Sequence, residues 1–157
     1  MEPDYGILLH ALTSRFGPRL KTVVLFGSRA RNEAGLESDH DIFIVVEDLP
    51  EDPLGRARET RGALLPYLAD LPGAINLHAK TPAEFEDDLT PLFLDVVVDG
   101  ICLSGEDYFE PLRQKGLAAL TSSGMERRRI GGSLFWMLSG NGPRNWELTW
   151  DGYRERN

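Results

Sequence analysis

The chain has 157 residues, 41% of them hydrophobic and 27% charged, which suits one globular domain with its own core. Its single cysteine, Cys102, excludes an internal disulfide and a cysteine-rich zinc site, and no stretch approaches the roughly 18–20 apolar residues of a membrane span. A formal net charge of −8 weighs against broad nucleic-acid binding, which needs Lys and Arg over the phosphates.

The N-terminus, Met1-Glu2-Pro3-Asp4, is acidic where a signal peptide is basic, so the cytoplasm is the expected compartment. Apolar positions at Ile7, Leu8, Ala11, Leu12 and Phe16 predict an amphipathic helix over residues 4–16, ended by Gly17-Pro18. The β-branched, apolar run from Leu20 to Phe26 reads as a buried strand broken by Gly27-Ser28. Ser28 as N-cap and Gly35 just past the end predict a short helix over Arg29 to Ala34. A second buried strand runs from Ile42 to Val46. Residues 54–69 read as a helix with Leu64, Leu65 and Leu68 inward.

A third strand is expected from Ala74 to Ala79. Thr81-Pro82-Ala83-Glu84 is a helix start: Thr at the cap, Pro at the first position, Glu three beyond the cap. That helix, or a broken pair, runs toward Val98. Asp99-Gly100 turns the chain into a short strand, Ile101 to Leu103, and a helix follows from Tyr108 to Leu120. This alternation predicts a layered fold of α/β or α+β type, and the α+β reading is the one adopted. The tail differs. Residues 133–138 and 146–150 both alternate like strands, and Gly140-Asn141-Gly142-Pro143 between them is turn chemistry. They predict a β-hairpin within a Trp-rich extension, residues 125–157, packed on domain 1–124 or on a partner.

Two segments carry the chemistry. Gly27-Ser28 follows a buried strand. Glycine lets the backbone approach a ligand closely, and the N-terminus of the short helix that follows offers unpaired N–H groups to phosphate. Asp39 and Asp41, at i and i+2 where the second strand begins, point the same way in extended backbone. Adjacent carboxylates repel unless a cation sits between them, and Mg²⁺ prefers such hard oxygen ligands. Arg31 is a weaker phosphate candidate. His40 falls between the aspartates and faces the other side, in a structural role. His10 belongs to the first helix, with no chemical role. The acidic residues Asp87, Asp88, Asp95 and Asp99 (Asp95 partly buried) read as solvated, and Arg127 to Arg129 as surface charge, with an acidic partner or RNA as the alternative. Trp136, Trp146 and Trp150 read as a packed mini-core.

Gly27-Ser28 followed by Asp39-x-Asp41, each beside an apolar strand, resembles the signature of the DNA polymerase beta nucleotidyltransferase superfamily. The Ser28-Arg29-Ala30-Arg31 run and the Ser38-Asp39-His40-Asp41 strand entry are most similar to its minimal nucleotidyltransferases (MNT), over residues 4–112. The resemblance implies a nucleotidyltransferase fold, a short mixed central sheet flanked by helices. It implies Mg²⁺-dependent transfer of AMP from ATP to a hydroxyl, with Asp39 and Asp41 as catalytic metal ligands and Gly27, Ser28 and Arg31 on the nucleotide. It further implies a HEPN-domain partner in a toxin–antitoxin pair, whose tyrosine accepts the AMP; a homodimer is a second assembly. The family's third carboxylate falls at Asn76, which carries no charge and cannot act as a base. His78, two residues on, is the stand-in candidate. The substitution also opens an alternative: a catalytically weak nucleotide-binding or antitoxin module that acts by binding its partner. Small-molecule transfer is less favoured, because no second helical domain is evident.

Overall fold

The computed structural model describes residues 3–138 and 146–155. Helix α1 (Gly6–Phe16) leads into β1 (Leu20–Phe26), then β2 (His40–Val46), α2 (Pro53–Leu64), β3 (Ile75–Lys80), α3 (Pro82–Phe85), α4 (Pro91–Asp99), β4 (Ile101–Ser104) and α5 (Glu106–Ser123). The strands form one mixed sheet in the order β3-β2-β1-β4. β1 runs antiparallel to β2 and β4, and β2 runs parallel to β3. The α+β expectation holds.

Strands β1 and β2 are buried on both faces because each face carries its own core. On one side Val23, Leu25, Ile42 and Ile44 pack with Leu8, Leu12 and Phe16 of α1 and Ala63 and Leu64 of α2. On the other, Val24, Phe26, Phe43 and Val45 pack with Phe85, with Phe93 and Val97 of α4, and with Phe109 of α5. The capping box at Thr81 forms as predicted. Thr90 caps α4 through the Phe93 N–H, so the predicted broken pair of helices is what the chain adopts.

Three expectations are corrected. Arg29 to Ala34 do not form a helix. The Gly27 carbonyl accepts from both the Ala30 and Arg31 N–H groups, and Asn32 has φ +59°. Six residues repay helix nucleation poorly, and a compact turn takes the helix's place. Leu65 and Leu68 do not point inward; they are 64% and 58% exposed. Pro66 cannot donate to the helical ladder, so α2 ends at Leu64 and a 3₁₀ turn follows. In that turn residues three apart share a side, and Leu65 and Leu68 share the solvent side.

The tail strands exist, but their partners differ from the expected pairing. β5 (Met125–Ile130) pairs with β6 (Ser133–Leu138), and β7 (Trp146–Thr149) pairs with β8 (Gly152–Glu155). Tight turns at Gly131-Gly132 and Trp150-Asp151 close these hairpins locally. The Gly140-Asn141-Gly142-Pro143 segment lies outside the described residues. Of the expected tryptophan cluster, the described side chains of Trp150 and Trp136 both join the core beside α4 and α5. Trp150 enters the α4/α5 core, edge-on to Phe85, and its Nε1–H donates to the Phe85 carbonyl at 2.8 Å. Trp136 packs against the edge of the same core and stands beside Arg127. The Trp146 side chain is outside the description.

Trp150 is 4% exposed. Trp150→Ala is expected to cost about 3–5 kcal/mol of folding stability. Trp150→Phe keeps most of the apolar contact but strands the Phe85 carbonyl, for about 1–3 kcal/mol. Urea unfolding of the two variants checks the order.

Candidate functional site

The site grows from the register of the sheet. Phe26 pairs with Asp41, and Asp41 pairs with Asn76. All three therefore share one face, and Phe43 and His78 share it one step further along. β1 ends at Phe26, and Gly27 turns the chain at φ +74°. A Cβ on Gly27 would collide with Asp41 Oδ2. Glycine is required here twice, by the positive φ and by the carboxylate pressed against its Cα.

The turn that follows is built to present donors. Gly27 and Ser28 spend their carbonyls on Ala30, Arg31 and Glu33 N–H groups. Among the described residues the N–H groups of Ser28 and Arg29 and the Ser28 hydroxyl have no hydrogen-bond partner. Unpaired successive N–H groups form an anion-binding concavity. Arg29 braces the turn from behind, donating to the Ser38 carbonyl at 2.8 and 3.1 Å.

Asp39 is exposed one residue ahead of β2, and Asp41 is half-buried within it. His40 faces the opposite side as expected, 1% exposed, with the Tyr5 hydroxyl 2.7 Å from its Nδ1. Burial, with Arg29 adding to it, holds the His40 pKa below its ordinary value despite the aspartates on either side. Asn76 donates from Nδ2 to Asp41 Oδ1 at 2.9 Å. His78 stacks edge-on to Phe26, ring centroids 5.3 Å apart. Burial lowers its pKa, and Asp41 opposes that shift. A lowered pKa favours the neutral imidazole, which can accept a proton, and makes it a weaker base than a free histidine.

Gly27, Asp41 and Asn76 are thus in contact, Ser28 adjoins them, and His78 sits one step inward. Arg31 is directed elsewhere. It donates to Asp99 Oδ2 and Glu33 Oε2, each at 3.1 Å. The donor set suits a hard divalent cation: two carboxylates, with Asn76 Oδ1 without a partner among the described residues. Those residues hold no cluster of three or more His, Cys, Asp or Glu side chains suited to a metal. A depression of about 450 Å³ runs along the outer side of β3 past Arg61, Lys80 and Asn76; Asn76 is the site residue that lines it.

The sequence reading missed one feature. Asp99 is not solvated: its side chain is 7% exposed and clasped by Arg31 and Arg127. Arg127 is correspondingly not free surface charge. The partners lie 68 and 28 positions from Asp99 in sequence, so no local pattern announces them.

The fold is that of a nucleotidyltransferase domain. A sequence model of the nucleotidyltransferase domain matches residues 7–116, and the chain belongs to that family. The resemblance carried by Gly27-Ser28 and Asp39-x-Asp41 holds at that level. No curated protein matches the chain. Among solved structures, two mutants of the toxin–antitoxin MntA–HpeT share the fold. One carries two Asp-to-Glu replacements: TM-score 0.51, 17% identity, 77% of this chain and 90% of that chain covered. The other carries a Tyr-to-Ala replacement: TM-score 0.51, 18% identity, 78% and 90% covered. A toxin–antitoxin with AMP-PNP aligns at TM-score 0.48 and 19% identity, covering 74% of this chain and 86% of that one. No helix among the described residues is long and apolar enough to cross a membrane.

Two outcomes follow. Gly27→Ala must displace the Asp41 carboxylate and hold a non-glycine residue at positive φ, a cost of about 1–3 kcal/mol; thermal unfolding against wild type measures it. Burial alone raises the Asp99 carboxyl, but the hydrogen bonds from Arg127 and Arg31 outweigh it and hold the pKa below the usual carboxylate range. A depressed folded pKa gives stability that is present above the unfolded value of about 3.9 and lost as pH falls through the lower folded value. Asp99→Asn is therefore expected to flatten the acid limb of a stability–pH curve below about pH 4.

Proposed function

We propose that this protein transfers a nucleoside monophosphate, AMP from ATP, to a hydroxyl acceptor. The observation that carries the reading is the contact of Gly27 with the Asp41 carboxylate. It sets a phosphate-binding turn and an anionic metal ligand side by side. The unpaired N–H groups of Ser28 and Arg29 and the Ser28 hydroxyl take the β- and γ-phosphates. Asp39 and Asp41 hold Mg²⁺, with Asn76 Oδ1 as a neutral third oxygen. Bound Mg²⁺ supplies charge neutralisation and polarisation at the phosphoryl oxygens. Arg31 keeps one terminal nitrogen beyond its two ion pairs and is a secondary phosphate donor.

In the reaction the acceptor oxygen bonds to the α-phosphorus. The bond from that phosphorus to the bridging oxygen breaks, and pyrophosphate leaves with the electron pair. The acceptor proton needs a base. His78 is neutral near pH 7, faces the site and is the residue proposed to take it. The fold shared with toxin–antitoxin complexes supports a partner protein; the acceptor proposed is a tyrosine of a HEPN-type partner, met in the cytoplasm.

The Asn76–Asp41 hydrogen bond favours a second reading. It replaces a third carboxylate with a neutral group and satisfies Asp41 without a metal. On this reading the protein binds nucleotide, transfers slowly, and acts as an antitoxin by contact.

Incubation with α-labelled ATP, Mg²⁺ and acceptor proteins separates the two readings. Label transfer lost in Asp41→Asn supports the enzyme; ATP binding without transfer supports the second reading. Asn76→Asp is expected to raise transfer by about 10²-fold if the missing base limits the rate. His78→Ala is expected to lower it by a similar factor, and a transfer rate that survives this change removes His78 from the mechanism.

A further inference from the structure

The segment beyond the family match is wired into the turn that follows Gly27. Arg127 on β5 donates to both oxygens of Asp99, at 2.6 and 2.8 Å. Arg31 donates to the same carboxylate at 3.1 Å. Arg127 also reaches Asp95 Oδ1 at 3.2 Å, where Trp136 Nε1–H donates at 2.9 Å. Its guanidinium lies 5.3 Å from the Trp136 ring centroid. A second tie runs from Arg129 to both oxygens of Glu33, at 3.0 and 3.1 Å. Three arginines meet three carboxylates, and the network is neutral overall.

Burial ranks the ties. Arg129 and Glu33 are 51% and 42% exposed, and such pairs contribute little. Asp99 is 7% exposed, between Arg31 at 21% and Arg127 at 18%. Removing one cation there leaves a poorly solvated carboxylate that must draw on the other. Arg31 belongs to the turn that carries the unpaired Ser28 and Arg29 N–H groups, and that turn lies outside any helix or strand. Its far end is fixed by Arg31 and Glu33.

We propose that Asp99 and Arg127 are positioning residues for the nucleotide site, acting through Arg31 on the turn at Ser28. The β5–β6 hairpin is then a working part of that site. The proposal rests on the nucleotide reading above. It separates from a purely structural role by reciprocity: if the hairpin orders the turn for nucleotide, nucleotide must stabilise the hairpin by the same factor.

The test uses the full chain and ATP–Mg²⁺. Calorimetric titration of wild type, Arg127→Ala, Arg127→Lys, Asp99→Asn and the control Arg128→Ala gives the affinities. Arg128 is 56% exposed and pairs with Glu126. Arg127→Ala is expected to weaken ATP binding about tenfold, or 1.4 kcal/mol, with Arg127→Lys recovering part and Arg128→Ala staying within twofold. Amide exchange over residues 126–136 is expected to slow when ATP binds wild type, and not when it binds Arg127→Ala. A lowered melting temperature with unchanged ATP affinity overturns the proposal, as does hairpin exchange in wild type that ignores ATP. If Arg127→Ala fails to fold, Arg127→Lys and Asp99→Asn carry the same comparison. A wild type that binds no ATP overturns the nucleotide reading itself, a different result from variants that match a binding wild type.

Discussion

The structure turns on the approach of the Gly27 backbone to the Asp41 carboxylate. Two requirements meet at that point. The strand register must bring Asp41 opposite Phe26, and the residue after Phe26 must have no side chain. The rest of the fold keeps β1 and β2 in that register. Each is buried on both faces, so a one-residue slip would turn Asp41 into one apolar core and a large apolar side chain out of the other. Two cores on opposite sides of the sheet thereby specify the placement of a carboxylate at its end.

The layered fold was legible because its strands announce themselves: Leu20–Phe26 and His40–Val46 are nearly continuous apolar runs, and Thr81 marks a helix start with its side-chain cap. The site was legible because Gly27-Ser28 and Asp39-x-Asp41 are local patterns that strand alternation converts into geometry. What failed to show was non-local or competitive. Arg29 to Ala34 has helical composition, yet Arg29 is held by the Ser38 carbonyl and Arg31 by Asp99, and those ties favour the turn. Leu65 and Leu68 fit an α-helical stripe until Pro66 changes the period. Alternation identified the tail strands but carries no information about partners. Gly131-Gly132 offers the shorter closure, and local pairing costs less loop entropy.

The tail contributes two different things. Leu148 and Trp150 complete the α4/α5 core, and the Leu148 carbonyl accepts from the Leu89 N–H at 2.9 Å. That is packing. The β5–β6 hairpin contributes charge: Arg127 and Arg129 neutralise carboxylates of α4 and of the turn after β1. A protein of net charge −8 gathers acids and bases here in equal number. The acidic excess therefore lies outside this junction, and the approach to the glycine turn is flanked by arginines already balanced.

Asn76 gives the site its particular electrostatics. A third carboxylate in this position would stand beside Asp41 in a half-buried setting, and the pair would need a cation or a shared proton to coexist. The amide removes that repulsion and donates to the carboxylate, so the strands can close around Asp41 without a cation. On the proposed reading the same hydrogen bond withdraws an Asp41 lone pair from a metal, and the amide offers no base. Stability without metal and speed with metal are opposed at this one position, and the chain holds the residue that favours the first. On that reading catalytic capacity depends on what else on that face can take a proton, and His78, whose pKa burial lowers, is the group the sheet register offers.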